Sequence, residues 1–242
     1  MRPIVIRYAA SNANLFVNNV TYITDLISAA SATPVYGYLF NINAQIDAGT
    51  ARNLIVDITD PSDATAVLQI NGTNVFGVTI TESLALPTAG AKTSVNAFAS
   101  INTLTITTTT TDQTGSLQVG TAVQGQTLPQ QMDIYNSEAN YTIAYSNLGG
   151  TVAATPMYSV QQMVSNLNGN PVTYLSDTTA YYTIPIANTY NVVASPTTVT
   201  ALPIAAACSL SFRFPISSLW TACTTTASGS FTQTILQQGA KC

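Results

Sequence analysis

Apolar and polar residues alternate one by one along much of this chain, most regularly over Ser100–Val123. Leu104 and Ile106 alternate with Thr103, Thr105 and Thr107, and Thr107 opens an unbroken threonine run to Thr111. A period of two built from β-branched residues predicts a half-buried strand. Threonine suits such a strand because its branched Cβ fits the pleat while its hydroxyl faces water. Asp112-Gln113-Thr114-Gly115 supplies turn chemistry. Leu117, Val119, Thr121 and Val123 then resume the alternation. The stretch predicts a hairpin, apolar on one face and hydroxylated on the other.

The same pattern recurs on both sides of it. Pro3–Arg7 is a short extended segment suited to a sheet edge. From Val35 to Ile80 the chain predicts a β meander. Ile42, Ala44, Ile46 and Ala48 alternate with polar residues, and Leu54, Val56 and Ile58 fall on one side of the next strand. Asp60-Pro61-Ser62-Asp63 is a turn signal, and so is Asn71-Gly72, which predicts a tight hairpin ahead of a return strand over Val75–Ile80. Leu84–Gly90 reads as a loop. In the second half, strands are predicted at Tyr141–Tyr145, Ala180–Ile186, Tyr190–Ala194 and Val199–Ile204. The clearest is CSLSFRFPI, with Cys208, Leu210, Phe212, Phe214 and Ile216 on one face and Pro215 marking an end or an edge.

Helical spacing shows in two places. Val20, Ile23, Ile27 and Ala30 suggest a helix over Asn18–Ser31, ended by Thr33-Pro34. Val160, Met163, Val164 and Leu167 suggest another over Met157–Leu167, stopped by Gly169. The fold class expected is therefore mainly β: an antiparallel sandwich or jelly roll, in one or two β halves, with one or two short helices. The polar, aperiodic stretch Gln124–Asp133 divides the chain. Residues 1–123 then form an N-terminal β domain, 124–133 a linker or loop, and 134–242 a C-terminal β domain. A single intertwined domain is the alternative.

Composition changes the picture more than any motif does. Only 7% of the 242 residues are charged, against roughly 25% in an average soluble domain. Hydrophobic residues make up 46%, which excludes a disordered tail. Surfaces with few charges are cheap to desolvate and suit burial against copies of the same chain. The six basic residues are scattered and form no stripe, so no direct nucleic-acid binding is expected. No apolar run approaches the roughly 18 residues of a membrane span. Ile4-Val5-Ile6, interrupted by Arg7, makes a poor secretory signal.

Candidate chemistry is sparse. The chain has no histidine, which removes the usual general base, triad orienter and metal ligand. Asp57, Asp60 and Asp63 suit turn capping and lack the calcium-loop pattern. Asn147-Leu148-Gly149-Gly150 lacks the Lys-Ser/Thr that would complete a phosphate loop. No catalytic residue, cofactor, metal or small-molecule substrate is expected, and the chain is not read as an enzyme. The three cysteines fit no metal spacing. They are either buried or idle thiols, or a Cys208–Cys223 bridge with Cys242 left for an intermolecular bond. Ile235 and Leu236 are candidates to dock the tail Gln237–Cys242 on a neighbouring subunit, with a covalent link through Cys242 as the other restraint.

In composition and strand pattern the whole chain resembles the structural proteins of bacteriophage virions, especially jelly-roll capsid and decoration proteins. The resemblance implies cytoplasmic synthesis followed by assembly into a symmetric shell or tube, with copies of itself and other virion proteins as partners and the virion as its location. A tail tube, collar or fibre protein is the rival within that class. A surface-layer or adhesin module lies outside it, as does a carbohydrate-binding sandwich, which would want exposed aromatics.

Overall fold

The β-branched alternation is realised as strands over most of the described residues, but not over 41–49, where the alternating Ile42, Ala44, Ile46 and Ala48 lie outside any strand. The computed structural model describes residues 3–21, 25–28, 35–58, 66–86, 90–108, 116–132, 141–151, 153–159, 182–183, 190–194, 203–205, 207–212, 216, 218–223 and 229–237. The strands are β1 (Ile4–Tyr8), β2 (Val17–Thr21), β3 (Asp25–Ser28), β4 (Val35–Phe40), β5 (Thr50–Ile58) and β6 (Val67–Thr73). Then come β7 (Thr79–Ala85), β8 (Gly90–Phe98), β9 (Ser100–Thr108), β10 (Ser116–Thr127), β11 (Gln130–Gln131) and β12 (Tyr141–Gly150). The last six are β13 (Ala154–Ser159), β14 (Tyr182–Thr183), β15 (Tyr190–Ala194), β16 (Cys208–Phe212), β17 (Ser218–Cys223) and β18 (Gly229–Gln237). The fold is all β and antiparallel, as the alternation predicts, with no helix among the described residues.

The chain divides into two compact units. One is discontinuous, made of Met1–Ala10, Asp47–Thr50 and Val123–Cys242. The other, Ser11–Ile46 with Ala51–Ala122, is inserted within it along the sequence. The first ten residues belong with the C-terminal half because β1 pairs along its whole length with β18, from Ile4↔Ile235 to Tyr8↔Phe231.

In the inserted unit, β3, β4, β9, β6 and β7 form a sheet in that order. Its second sheet holds β10, β5 and β8, with β2 paired to β10. One core lies between them: Leu68, Ile70, Leu104 and Ile106 from the first, Leu54, Val56, Ile58, Phe98, Leu117 and Val119 from the second. Each such Leu or Ile, fully withdrawn from water, contributes about 1.5–3 kcal/mol. The sandwich is closed along one side by Glu82, whose carboxylate accepts the amides of Val95 and Asn96 at 2.8 and 2.9 Å. Lys92 Nζ donates to the Ala85 carbonyl at 2.7 Å beside it. Buried Arg52 donates from Nε and Nη2 to the Ala122 carbonyl at 3.1 and 2.7 Å.

In the discontinuous unit, β1, β18, β12, β16 and β15 form a sheet in that order. The second sheet sets β17 between β13 and the trailing end of β10, with β14 beyond β13 and β11 also on β17. Their shared core includes Tyr8, Tyr141, Ile143, Tyr145, Leu210, Leu219, Phe231 and Ile235. Tyr8 stacks on Phe231 with ring centroids 5.0 Å apart, and its hydroxyl donates to the Val123 carbonyl at 2.8 Å.

Several expectations are corrected. Asn18–Ser31 is not a helix where it is described. Residues 18–21 lie in β2, paired with β10, and 25–28 form β3, paired with β4. Its Val, Thr and Ile content favours the pleat over a helix. Residues 157–159 of the second proposed helix lie in β13, and 160–167 fall outside the described residues. Ser100–Val123 is not a hairpin: β9 pairs with β4 and β6 in one sheet, and β10 belongs to the other. Gln124–Asp133 is not a linker as far as it is described. Residues 124–127 end β10, and β11 pairs Gln130↔Leu219 and Gln131↔Ser218.

Candidate functional site

Residues facing each other across antiparallel strands share a face of the sheet. On the outward face of the inserted unit's five-stranded sheet, one row reads Leu39, Thr105, Gln69, Ser83 across β4, β9, β6 and β7. Flanking rows hold Thr107, Val67 and Ala85, and Thr103, Asn71 and Thr81. Across β4, β9, β6 and β7 these rows hold no Asp, Glu, Lys or Arg, and the Thr107 row continues through Gly37 to Asp25 on the edge strand β3. Their polar groups bond to one another: Asn71 Nδ2 donates to Thr103 Oγ1 at 2.8 Å, and the Thr81 hydroxyl to Asn71 Oδ1 at 2.7 Å. Leu39, 60% exposed, is the large apolar side chain on this face.

The five-stranded sheet of the discontinuous unit repeats the composition. Its outward rows are Val5, Thr234, Ala144, Ser209, and Leu236, Thr142, Ser211, and Arg7, Thr232, Ser146. Arg7 is the one charged residue among these. It lines a surface cleft of about 300 Å³ with Asn147, Ser230, Phe231 and Thr232. One lining residue, Asn147, lies in a bulge of β12, whose register against β18 shifts between Ser146 and Gly149. Asn147 sits within the bulge at φ +53°, a left-handed conformation that non-glycine residues adopt at a cost and that bulges commonly impose near sites. Its Nδ2 donates to Thr232 Oγ1 at 3.4 Å.

Beneath this sheet the core carries a line of polar groups. Ile6, Gln233, Tyr145 and Cys208 lie in register across β1, β18, β12 and β16. The Tyr145 and Thr221 hydroxyls are 2.8 Å apart, and Thr127 Oγ1 accepts the Thr221 amide at 2.9 Å. Burial holds the Tyr145 phenol well above its ordinary range. The bond to Thr221 opposes that shift, and the neighbouring Cys208 and Cys223 add to it. Burial also pushes the Cys208 thiol up to about 11. Such a thiol stays protonated at neutral pH and is a poor nucleophile.

Of the residues singled out in sequence, Cys208 and Cys223 are both buried thiols in the core around Tyr145, with no bridge joining them. They come from opposite sheets, which stack about 10 Å apart, whereas a disulfide needs its Cα atoms within about 7 Å. Ile235 is also corrected as a docking residue: it is buried in its own chain's core, facing Ile4 and Ile143. Leu236 points outward, 42% exposed. Cys242 lies outside the described residues. Arg7 and Leu39 drew no attention in sequence, since nothing local marks the face a strand presents. Asn147-Leu148-Gly149-Gly150 carried the bulge's signal, a glycine pair inside a strand.

No group of three or more His, Cys, Asp or Glu among the described residues is placed to hold a metal. No helix among them is long and apolar enough to cross a membrane. Trp220 is buried, as are Tyr8, Tyr141 and Tyr145, so these aromatics form no exposed platform for sugar rings. Comparison with protein-family models, curated proteins and solved structures returned no match.

Proposed function

We propose that this chain is a structural subunit of a virus particle, a bacteriophage capsid or capsid-decoration protein that assembles with copies of itself and with other virion proteins. It is read as non-catalytic, without cofactor and without direct contact to nucleic acid. The observation that carries the reading is the lack of any charged residue in the outward rows of β4, β9, β6 and β7, with Asp25 in register only at the β3 edge. A lone soluble protein ordinarily places charges of both signs on such a face to stay dispersed. Here hydroxyls and amides satisfy one another laterally and Leu39 stands exposed among them. Covering that face removes apolar and weakly hydrated surface without stripping water from an ion.

The test is to charge the face. Leu39→Asp combined with Gln69→Glu alters two exposed positions of one row, and exposed substitutions usually change stability by no more than about 0.5 kcal/mol. The double variant should keep the β circular-dichroism spectrum and lose assembly in sedimentation velocity. A double variant that assembles as the wild type does would remove this face from the reading.

A further inference from the structure

We propose that the Arg7 cleft is a carboxylate-binding site whose occupant is an Asp or Glu side chain of a second copy of this chain. The inference rests on the assembly reading above and assigns one contact within it. Arg7 is exposed and forms no ion pair among the described residues, although the chain carries ten acidic residues against six basic ones. An assembly of identical copies therefore brings an excess of carboxylates to few cations. The cleft's one charge is positive, and its other polar side chains, Asn147, Ser230 and Thr232, all offer donors. Arginine's planar fork matches a carboxylate with two parallel hydrogen bonds, and neighbouring hydroxyl and amide donors can satisfy the remaining lone pairs.

The cleft's character selects the occupant. At about 300 Å³ it lies at the lower limit of small-molecule pockets, which are mostly apolar and enclose their ligand. This one is polar and lies open on a sheet face, with exposed Val5 in the neighbouring row. An acidic side chain carried on a neighbour's surface fits that form. Val5 would be covered by the same contact, placing apolar surface on one side of the ion pair and strengthening it over a fully solvent-exposed one.

The experiment uses the full chain. Arg7→Glu and Arg7→Gln are compared with wild type by sedimentation velocity. Both should keep the wild-type circular dichroism and melting temperature and need at least tenfold higher concentration to assemble, with Arg7→Glu the weaker. Arg7→Lys is then assembled from mixed ¹⁴N- and ¹⁵N-labelled subunits and treated with a water-soluble carbodiimide. This reagent activates a carboxylate so that an amine displaces it, forming an amide and leaving the reagent as its urea. Mass spectrometry should find an amide between the introduced amine and an Asp or Glu of the other isotope. Assembly unchanged in both Arg7 variants, or a cross-link confined to one isotope, would overturn the inference and leave the assembly reading standing. A wild type that remains monomeric would remove both.

Discussion

Tyr145 on β12 and Thr221 on β17 share a 2.8 Å hydrogen bond that ties the two sheets of the discontinuous unit through their core. The pair is fully buried, so removing one partner leaves the other's hydroxyl desolvated and unbonded. Tyr145→Phe should cost about 1–3 kcal/mol with the strand content unchanged. Urea unfolding followed by fluorescence measures it, and an unchanged midpoint would mean that the bond contributes nothing net.

Gln233, in register beside Tyr145, makes the opposite prediction. Its side chain is fully buried, and neither its Oε1 nor its Nε2 has a hydrogen-bond partner. Replacing it with a similarly sized apolar side chain removes that desolvation penalty. Gln233→Leu should stabilise the protein by about 1–3 kcal/mol. A lower unfolding midpoint for this variant would show that the amide is engaged.

Alkaline pH should destabilise the same core. The folded chain holds the Cys208 proton up to about pH 11, whereas the ordinary thiol loses it near 9.0. Tyr145 is likewise held above its ordinary 10.0. Above pH 9 the unfolded chain therefore binds fewer protons than the folded one, and stability falls as pH rises. Stability is fully present below pH 9. The Cys208 part is lost as pH climbs from there to about 11, and Tyr145 extends the fall upward. Under reducing conditions, Cys208→Val should flatten the decline between pH 9 and 11. A wild-type stability that is level over that window would contradict the assignment.

Gly72 tests a close approach of two strands. A Cβ there would collide with the Ser100 carbonyl and the Phe98 ring, and backbone cannot yield as a flexible side chain would. Gly72→Ala should lower the melting temperature by at least several degrees, consistent with an overpacking cost of about 1–3 kcal/mol. A melting temperature within one degree of wild type would mean that β6 and β9 separate freely at this point.

Gly72 also marks what the sequence could and could not disclose. Asn71-Gly72 carries the strongest local turn signal in the chain, yet β6 runs through it. Asn71 bonds sideways to both neighbouring strands, and Gly72 lets Ser100 approach. The turn falls three residues on, where Asn74 Oδ1 accepts the amides of Phe76 and Val78 and Gly77 takes φ +75°. Alternation did reveal which residues point inward: Leu54, Val56, Ile58, Leu104, Ile106, Tyr141, Ile143 and Leu210 are all buried. Pairing was not legible, because alternation fixes a strand's faces and leaves its neighbours open. That is why β9 and β10 looked like a hairpin, and why β1 was not recognised as the partner of β18. The candidate faces were hidden for the same reason. The scarcity of charge was legible, but Leu39, Thr105, Gln69 and Ser83 become one surface only once four strands are aligned.

The native mass of the purified chain bears on the assembly reading before any variant is made. Sedimentation equilibrium at micromolar concentration, at neutral pH and near-physiological salt, should find a species many times the 25.4 kDa of one subunit, with the monomer a minor fraction. A single 25.4 kDa species that persists as the concentration is raised would contradict the proposal that this chain is an assembling structural subunit.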